Sequence, residues 1–550
     1  MGKSKMPVLF SAIGGSVNTL AMGGLLLLYA AVITYLGFRG FRKTRSSSDY
    51  LLAGRSVNPF AMAMSYGAAF ISTSALVGFG GIAGEFGMGL MWLVFMNIAF
   101  GIIIAFIWFG RRTRSIGLVL DAKTFPEFIG KRFQSEKMKI FIAAVIFCFL
   151  PLYSSVVLIS GARFLQEVMG LPYQAVLLIF AAVVAVYVIF GGLKGVMYVD
   201  ALIGTIMVGG MLTLLILCYF RLGGVIEAHQ ALTDMAPLVK ERLPLEYALG
   251  HRGWTVMPEF NSVWWWTLVS SLMLGVGIGA LAQPQLAVRF MTVKSDRELN
   301  RAVMVGSFFI LCTAGAAYMI GALSNVFFYH TDKGIAEGKA QLAIEVAGGN
   351  PDLIIPIFIR EALPQVVLYI FALTMLSAAM STLSSLFHVS GSSIGYDICG
   401  KFSRNGSSPV LTRAGVVLGI ILRLIFAFIL PPGIVARGTA IFFGVCAAAF
   451  LPAYMAALYW KRATRAGVWA AIASGAGVSA FGLLFMHRKE SAMLGICEKF
   501  FGRTELISIH PWPHVDPFVY ALPVSIIVLI VVSLLTAPPD EEHLKKCFGK

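Results

Sequence analysis

The chain has 550 residues, 58% of them hydrophobic and only 13% charged, with a mean hydropathy of +0.82. A water-soluble protein of this length needs a largely polar surface, so this composition excludes one and places the chain in a bilayer. The formal net charge of +16 raises nucleic-acid binding as a reading, which the distribution of the charge along the chain removes.

Thirteen apolar stretches are each long enough to cross a hydrocarbon core of roughly 30 Å. They lie near 17–38, 59–83, 88–110, 140–166, 173–192, 198–220, 263–288, 302–328, 363–396, 414–430, 434–459, 466–486 and 516–537. No soluble domain fits between them, so residues 1–550 read as one all-α polytopic membrane domain. The first stretch follows an N-terminus with only Lys3 and Lys5 and has no small-residue cleavage site, which predicts a retained helix rather than a signal peptide. Seven cysteines in no spaced pattern give neither a disulfide framework nor a metal site. An odd number of spans puts the termini on opposite sides. With the C-terminus inside, cytoplasmic segments carry 27 Lys and Arg against 14 outside. This is the asymmetry of an N-out, C-in membrane protein.

Span two contains AMSYGAAFISTSALVGFGGIAGEFG (63–87) and span seven contains MLGVGIGALAQP (273–284). Both are glycine-dense, and the second ends in a proline that cannot complete a helical ladder. Small residues permit close helix packing. A matched pair five spans apart points further, to an inverted-repeat transporter whose broken helices expose carbonyls and amides near the midplane. The repeats are then spans 2–6 (59–220) and 7–11 (263–459).

Asp200 lies at the start of span six, either as an interfacial charge or as a waypoint for a departing cation. On span nine, SAAMSTLSSL (377–386) places Ala378, Ser381 and Thr382 at i, i+3 and i+4, one face of a helix. Ser65, Ala68 and Ser72 follow the same spacing on span two. Isolated hydroxyls in membrane helices back-bond to the preceding turn or join helices. A small hard cation needs about five oxygens, which neutral hydroxyls and freed carbonyls supply without burying a carboxylate. A proton-driven carrier would need Asp, Glu or His in mid-span, and the central portions of these spans hold only His388. Sodium is therefore the expected coupling ion, and no other cofactor is expected. Arg163 near a span end can snorkel. Arg423, inside VVLGIILRLIFAFIL, requires a partner, water or a function at that depth.

DYLLAGRS (49–56), SYGAAFIS (65–72), TFPEFIGKRF (124–133), ISGARFLQ (159–166), GGLKGVMYVD (191–200), QPQLAVRFM (283–291), SAAMSTLSS (377–385) and LYWKRATRAG (458–467) together resemble the solute:sodium symporter family over roughly residues 18 to 480. The sodium/proline symporter branch is nearest in local motifs. The resemblance implies a leucine-transporter-like five-plus-five inverted repeat with extra helices at both ends, and alternating access driven by sodium. It implies a sodium site made of the Ala68, Ile71 and Ala378 carbonyls with the Ser381 and Thr382 hydroxyls. It makes Asp200 a residue of the inward sodium route, and places Ser65, Tyr153, Gly277 and Pro284 with substrate. The chain departs from the proline branch at Phe70, where that branch is acidic, at Val276 and Ala280, where it has bulky aromatics, and at Gln285, where it has His. Phe70 is similar to the monocarboxylate, pantothenate and iodide branches.

The expected function is sodium-coupled import of a small organic solute across the cell membrane, with no nucleic acid and no obligatory protein partner. Positive helix N-termini near the midplane favour a carboxylate-bearing solute; a neutral sugar is the alternative. A membrane enzyme would need paired carboxylates, a metal cluster or a nucleophile with its base inside the spans, and none is expected. A sensor built on a transporter fold would carry a signalling domain beyond span thirteen, where only about a dozen residues follow. A channel would show rings of like charge or a filter repeat.

Overall fold

The computed structural model describes residues 19–42, 47–55, 57–336, 339–402, 409–430 and 433–549. Lys3, Lys5 and the first two residues of the first expected span lie outside them. Almost every described residue is helical, and the one small sheet is the pairing of Ile335–Ala336 with Lys339–Ala340. Among the described residues, eleven helical runs are long and apolar enough to cross a membrane. Ser74–Val119 is counted there as a single run, although it holds the remainder of one expected span and the whole of the next.

The expected interruptions have clear local causes. Helix Pro59–Phe70 starts with Asn58 accepting a hydrogen bond from the Phe60 amide and Pro59 in the first turn, a start that proline favours because its missing N–H would be unsatisfied there anyway. The helix stops at Ile71, whose φ of −89° and ψ of 98° are extended. Helical structure resumes with Ser74–Gly78 and Phe79–Phe86. Ser72 therefore does not continue the Ser65 and Ala68 face, as even helical spacing would predict. It lies beyond the break, and its hydroxyl pairs with that of Ser74. At the second interruption, Val276–Gly279 and Ala280–Ala282 end at Gln283, with φ −73° and ψ 116°. The residue before a proline is pushed out of the helical region, and Pro284 then opens Pro284–Ala287.

Two expected spans, 173–192 and 198–220, are not separated by a loop. Helical hydrogen bonding runs without a break through Tyr173–Arg221. Gly191 and Gly192 cost a helix about 1 kcal/mol each but remove no amide, so they do not force an end.

Helix Gln365–Ser392 is central. It packs on Tyr173–Arg221, Glu136–Met169, Pro409–Ile429 and Pro59–Phe70, and 72% of the most apolar stretch of the run Gln365–Phe402 is buried, against 22% for Leu20–Arg39 and 28% for Phe518–Leu535. The last two are thus peripheral. Phe79–Phe86 lies against Ala316–His330 at backbone contact. A Cβ on Gly321 would stand 1.8 Å from the Gly80 carbonyl oxygen. At Gly87, where φ is +64°, the chain turns beneath Trp254, whose carbonyl accepts from the Met88 amide and whose indole donates to the Gly84 carbonyl at 2.9 Å.

Gly321→Ala should cost about 1–3 kcal/mol through overpacking, read as a lower unfolding temperature in detergent. Gly23→Ala, with nothing within 4 Å of the added methyl, should leave that temperature unchanged. Equal unfolding temperatures for the two variants would refute the packing account.

Candidate cation and substrate site

The break at Ile71 leaves last-turn carbonyls of Pro59–Phe70 without the helical amides that would normally follow. Thr382, one helix away, meets them: its hydroxyl stands 3.2 Å from both the Ala68 and the Ala69 carbonyl oxygens. Ala68, Ile71, Ala378, Ser381 and Thr382 are all buried. The Ser381 carbonyl accepts from the Ser384 and Ser385 hydroxyls at 2.8 and 2.9 Å. Its own hydroxyl lies beside the Asp200 carboxylate and has no other hydrogen-bond partner among the described residues. The structure thus brings Ala68 to Thr382 and Ser381 towards Asp200, and adds the Ala69 carbonyl, which the sequence reading had not included.

Asp200 is not exposed. It is fully buried within Tyr173–Arg221, where its Oδ2 accepts from Ser65 at 2.6 Å and from Arg289 at 3.2 Å. Asp200 Oδ1 has no partner. Arg289 also donates to Ser65 at 3.0 Å, to the Gln285 carbonyl at 2.7 Å and to Ser385. Read from the sequence as a cytoplasmic loop charge, Arg289 is instead 1% exposed. It sits in the turn Val288–Thr292 that follows the broken segment, and its burial removes one cation from the surface charge asymmetry. Ser65, expected with substrate, has its hydroxyl engaged in this ionic network. An arginine soon after a helix break is the one sequence signal that could have marked it.

The other side of the Ile71 break is aromatic. Tyr153 lies against Ser72 and Ser74, stacks on Phe442 at 4.7 Å and 7°, and meets Phe443 edge-on at 5.6 Å. Phe443 in turn stacks on Phe70 at 6.2 Å. Gly101 leaves the room this ring occupies, since a Cβ there would stand 2.6 Å from Phe70 Cε1. Gln283, at the second break, donates to the Gly279 carbonyl at 3.2 Å and accepts from Gln285 at 3.0 Å. Pro284 lines a small apolar cleft shared with Leu150, Phe442 and Cys446. Gly277 packs on Met96, whose Cβ would lie 2.7 Å from an added methyl. Tyr153 and Pro284 therefore share Phe442 as a neighbour, while Ser65 and Gly277 are held elsewhere. Phe442, Phe443 and Gln283 had escaped the sequence reading because aromatics and amides in an apolar helix carry no distinctive spacing.

A family profile described as the sodium:solute symporter family matches residues 50–475. The chain belongs to that family. This symporter is 28% identical over 458 residues to the osmoregulated proline transporter OpuE of Bacillus subtilis, covering 82% of this chain and 86% of that protein. It is 26% identical over 527 residues to a sodium/proline symporter of Staphylococcus aureus, covering 94% and 93%. Among solved structures, a substrate-bound, outward-open sodium-coupled sialic acid symporter superposes with a TM-score of 0.68 at 17% identity, over 96% of this chain and 99% of that one. At that identity the likeness is one of fold. The symporter is a multi-pass membrane transporter of a family that couples solute movement to sodium.

Removing one member of a buried ion pair strands the other. Arg289→Gln alone should lose about 3–5 kcal/mol of stability, and Asp200→Asn introduced beside it should restore a large part of that. Thermal unfolding of the two single variants and the double variant closes the cycle. Additive losses would show that the pair does not act as a unit.

Proposed function

We propose that the protein imports a small, carboxylate-bearing organic solute, a monocarboxylate or amino acid, together with sodium. The chain crosses the membrane thirteen times, N-out and C-in, with inverted repeats at 59–220 and 263–459. The positive φ at Gly87 supports two crossings within Ser74–Val119. The observation that carries the reading is the Thr382 hydroxyl held between two carbonyls at the end of an interrupted helix. That hydroxyl keeps the break satisfied when no cation is present. When sodium enters, the hydroxyl turns its lone pairs towards the ion and the carbonyls bind the same ion, with Ala68, Ile71, Ala378, Ser381 and Thr382 as the ligand set.

Asp200 takes the departing ion, its carboxylate standing beside the Ser381 hydroxyl of the ligand set. Substrate lies on the aromatic side of the break, where Tyr153 and Gln283 offer polar contacts, with Pro284 and Gly277 shaping the second broken helix and Ser65 tying the pocket's floor to Asp200. Val276 and Ala280 leave more space there than large rings would. The relatives named as proline transporters support a substrate with a carboxylate.

Ser381→Ala and Thr382→Ala should each lower sodium affinity about 5- to 150-fold, the effect of losing one ligand oxygen worth about 1–3 kcal/mol. Sodium titrations of uptake in proteoliposomes measure this, and an unchanged sodium dependence in both variants would reject the site. Competition by short monocarboxylates, proline and neutral sugars identifies the substrate class. Carboxylates should compete; strong transport of a sugar with no response to any carboxylate would defeat the assignment.

A further inference from the structure

Arg423 is wholly buried in helix Pro409–Ile429, and among the described residues it has no ion-pair partner. One of its amino groups donates to the Leu386 carbonyl at 3.2 Å, and its guanidinium lies 4.5 Å over the Phe387 ring. Nε and Nη1 have no hydrogen-bond partner, and neither has the nearby Ser390 hydroxyl. Nη1 and the Ser390 hydroxyl lie together. A Cβ on Gly419 would stand 2.5 Å from Arg423 Nη1 and 3.3 Å from Ser390 Oγ, so the guanidinium edge and the hydroxyl face the same glycine-lined spot. A full positive charge in a dry interior is costly unless paired, and a ring face compensates only part of that cost.

From this we infer that Arg423 and Ser390 form a binding site for a small monovalent inorganic anion of halide size, a site separate from the sodium and substrate residues. The donor set suits such an ion: a permanent cation whose Nη1 has unused N–H donors, and a hydroxyl that can rotate to donate. A carboxylate-bearing solute is a poorer fit. The Arg423 head points to Leu386, Phe387 and Ser390, whereas Tyr153 is stacked on Phe442. The site is nonetheless tied to the transport machinery at both ends. Ser155, two residues from Tyr153, donates to the Arg423 carbonyl at 2.9 Å, and Leu386 lies one turn beyond Thr382 on the same helix.

The test uses the purified full-length protein at constant sodium, with chloride or bromide exchanged for gluconate and no solute present, so that neither sodium nor substrate binding enters the readout. Chloride and bromide should raise the unfolding temperature saturably. Arg423→Gln should abolish the halide response, and Ser390→Ala should weaken the apparent halide affinity about ten-fold, the effect of removing one donor to a charged group. Ser390→Ala removes no charge, so it keeps the question decidable even if Arg423→Gln fails to accumulate. An unfolding temperature indifferent to halide, or a halide response unchanged in Ser390→Ala, overturns the assignment and leaves water as the partner of these donors.

Discussion

A backbone carbonyl in a dry interior must find a partner, and at the end of Pro59–Phe70 the chain itself withholds the usual one. Ile71 turns into the extended region, so the carbonyls of the last turn look outward. The alternatives are water, a side-chain donor or a cation. Thr382 is that donor, and its position determines what its helix must be. Gln365–Ser392 has to be unbroken, buried and close enough for its hydroxyl face to touch a neighbouring backbone. Its hydroxyls are therefore not a failure of apolar patterning but the complement of a break on another helix.

The buried charges divide into two kinds. Asp200 and Arg289 neutralise each other, and the surrounding Ser65 and Ser385 hydroxyls orient both. The pair ties Tyr173–Arg221 to the turn after the second helix break and to the central helix, so three elements that move solute and ion share one electrostatic joint. Arg423 has no such neighbour and leans on a carbonyl and a ring. The first arrangement balances its charge internally and leaves one acceptor, Asp200 Oδ1, while the second leaves donors that a ligand can take.

Both helix interruptions were legible in the sequence, because Gly density and Pro284 act locally. So were the face shared by Ala378, Ser381 and Thr382, since those residues occupy one uninterrupted helix. Even spacing failed at Ser72, which lies just past the break that the same stretch predicts. The expected loop between 173–192 and 198–220 is likewise absent, because the helix continues through it. The burial of Arg289 and Asp200 escaped the sequence for a common reason. A charge near a predicted span end reads as interfacial, and only tertiary packing shows that two such charges find each other 89 positions apart in the chain. The aromatic wall of Phe70, Tyr153, Phe442 and Phe443 is likewise a long-range product of packing, silent in any single helix.

These contacts also constrain how an ion can drive movement. A ligand shifts a conformational equilibrium only by its difference in affinity between the two states. In the proposed site the cation's oxygens come from two helices, the Ala68 side of a broken one and the Ser381 and Thr382 face of an intact one. Any motion that separates the helices removes ligands from the ion and, in the same step, the Thr382 donor from the carbonyls. Separation without the ion thus leaves carbonyls bare in a dry interior, whereas separation towards water lets solvent replace the lost donor. The break is stable when closed over a cation, tolerable when closed over Thr382, and otherwise open only on a wetted side. On the proposed site, an empty carrier reorients through the Thr382-capped state and a loaded one with sodium in its place, because one set of carbonyls has two alternative partners.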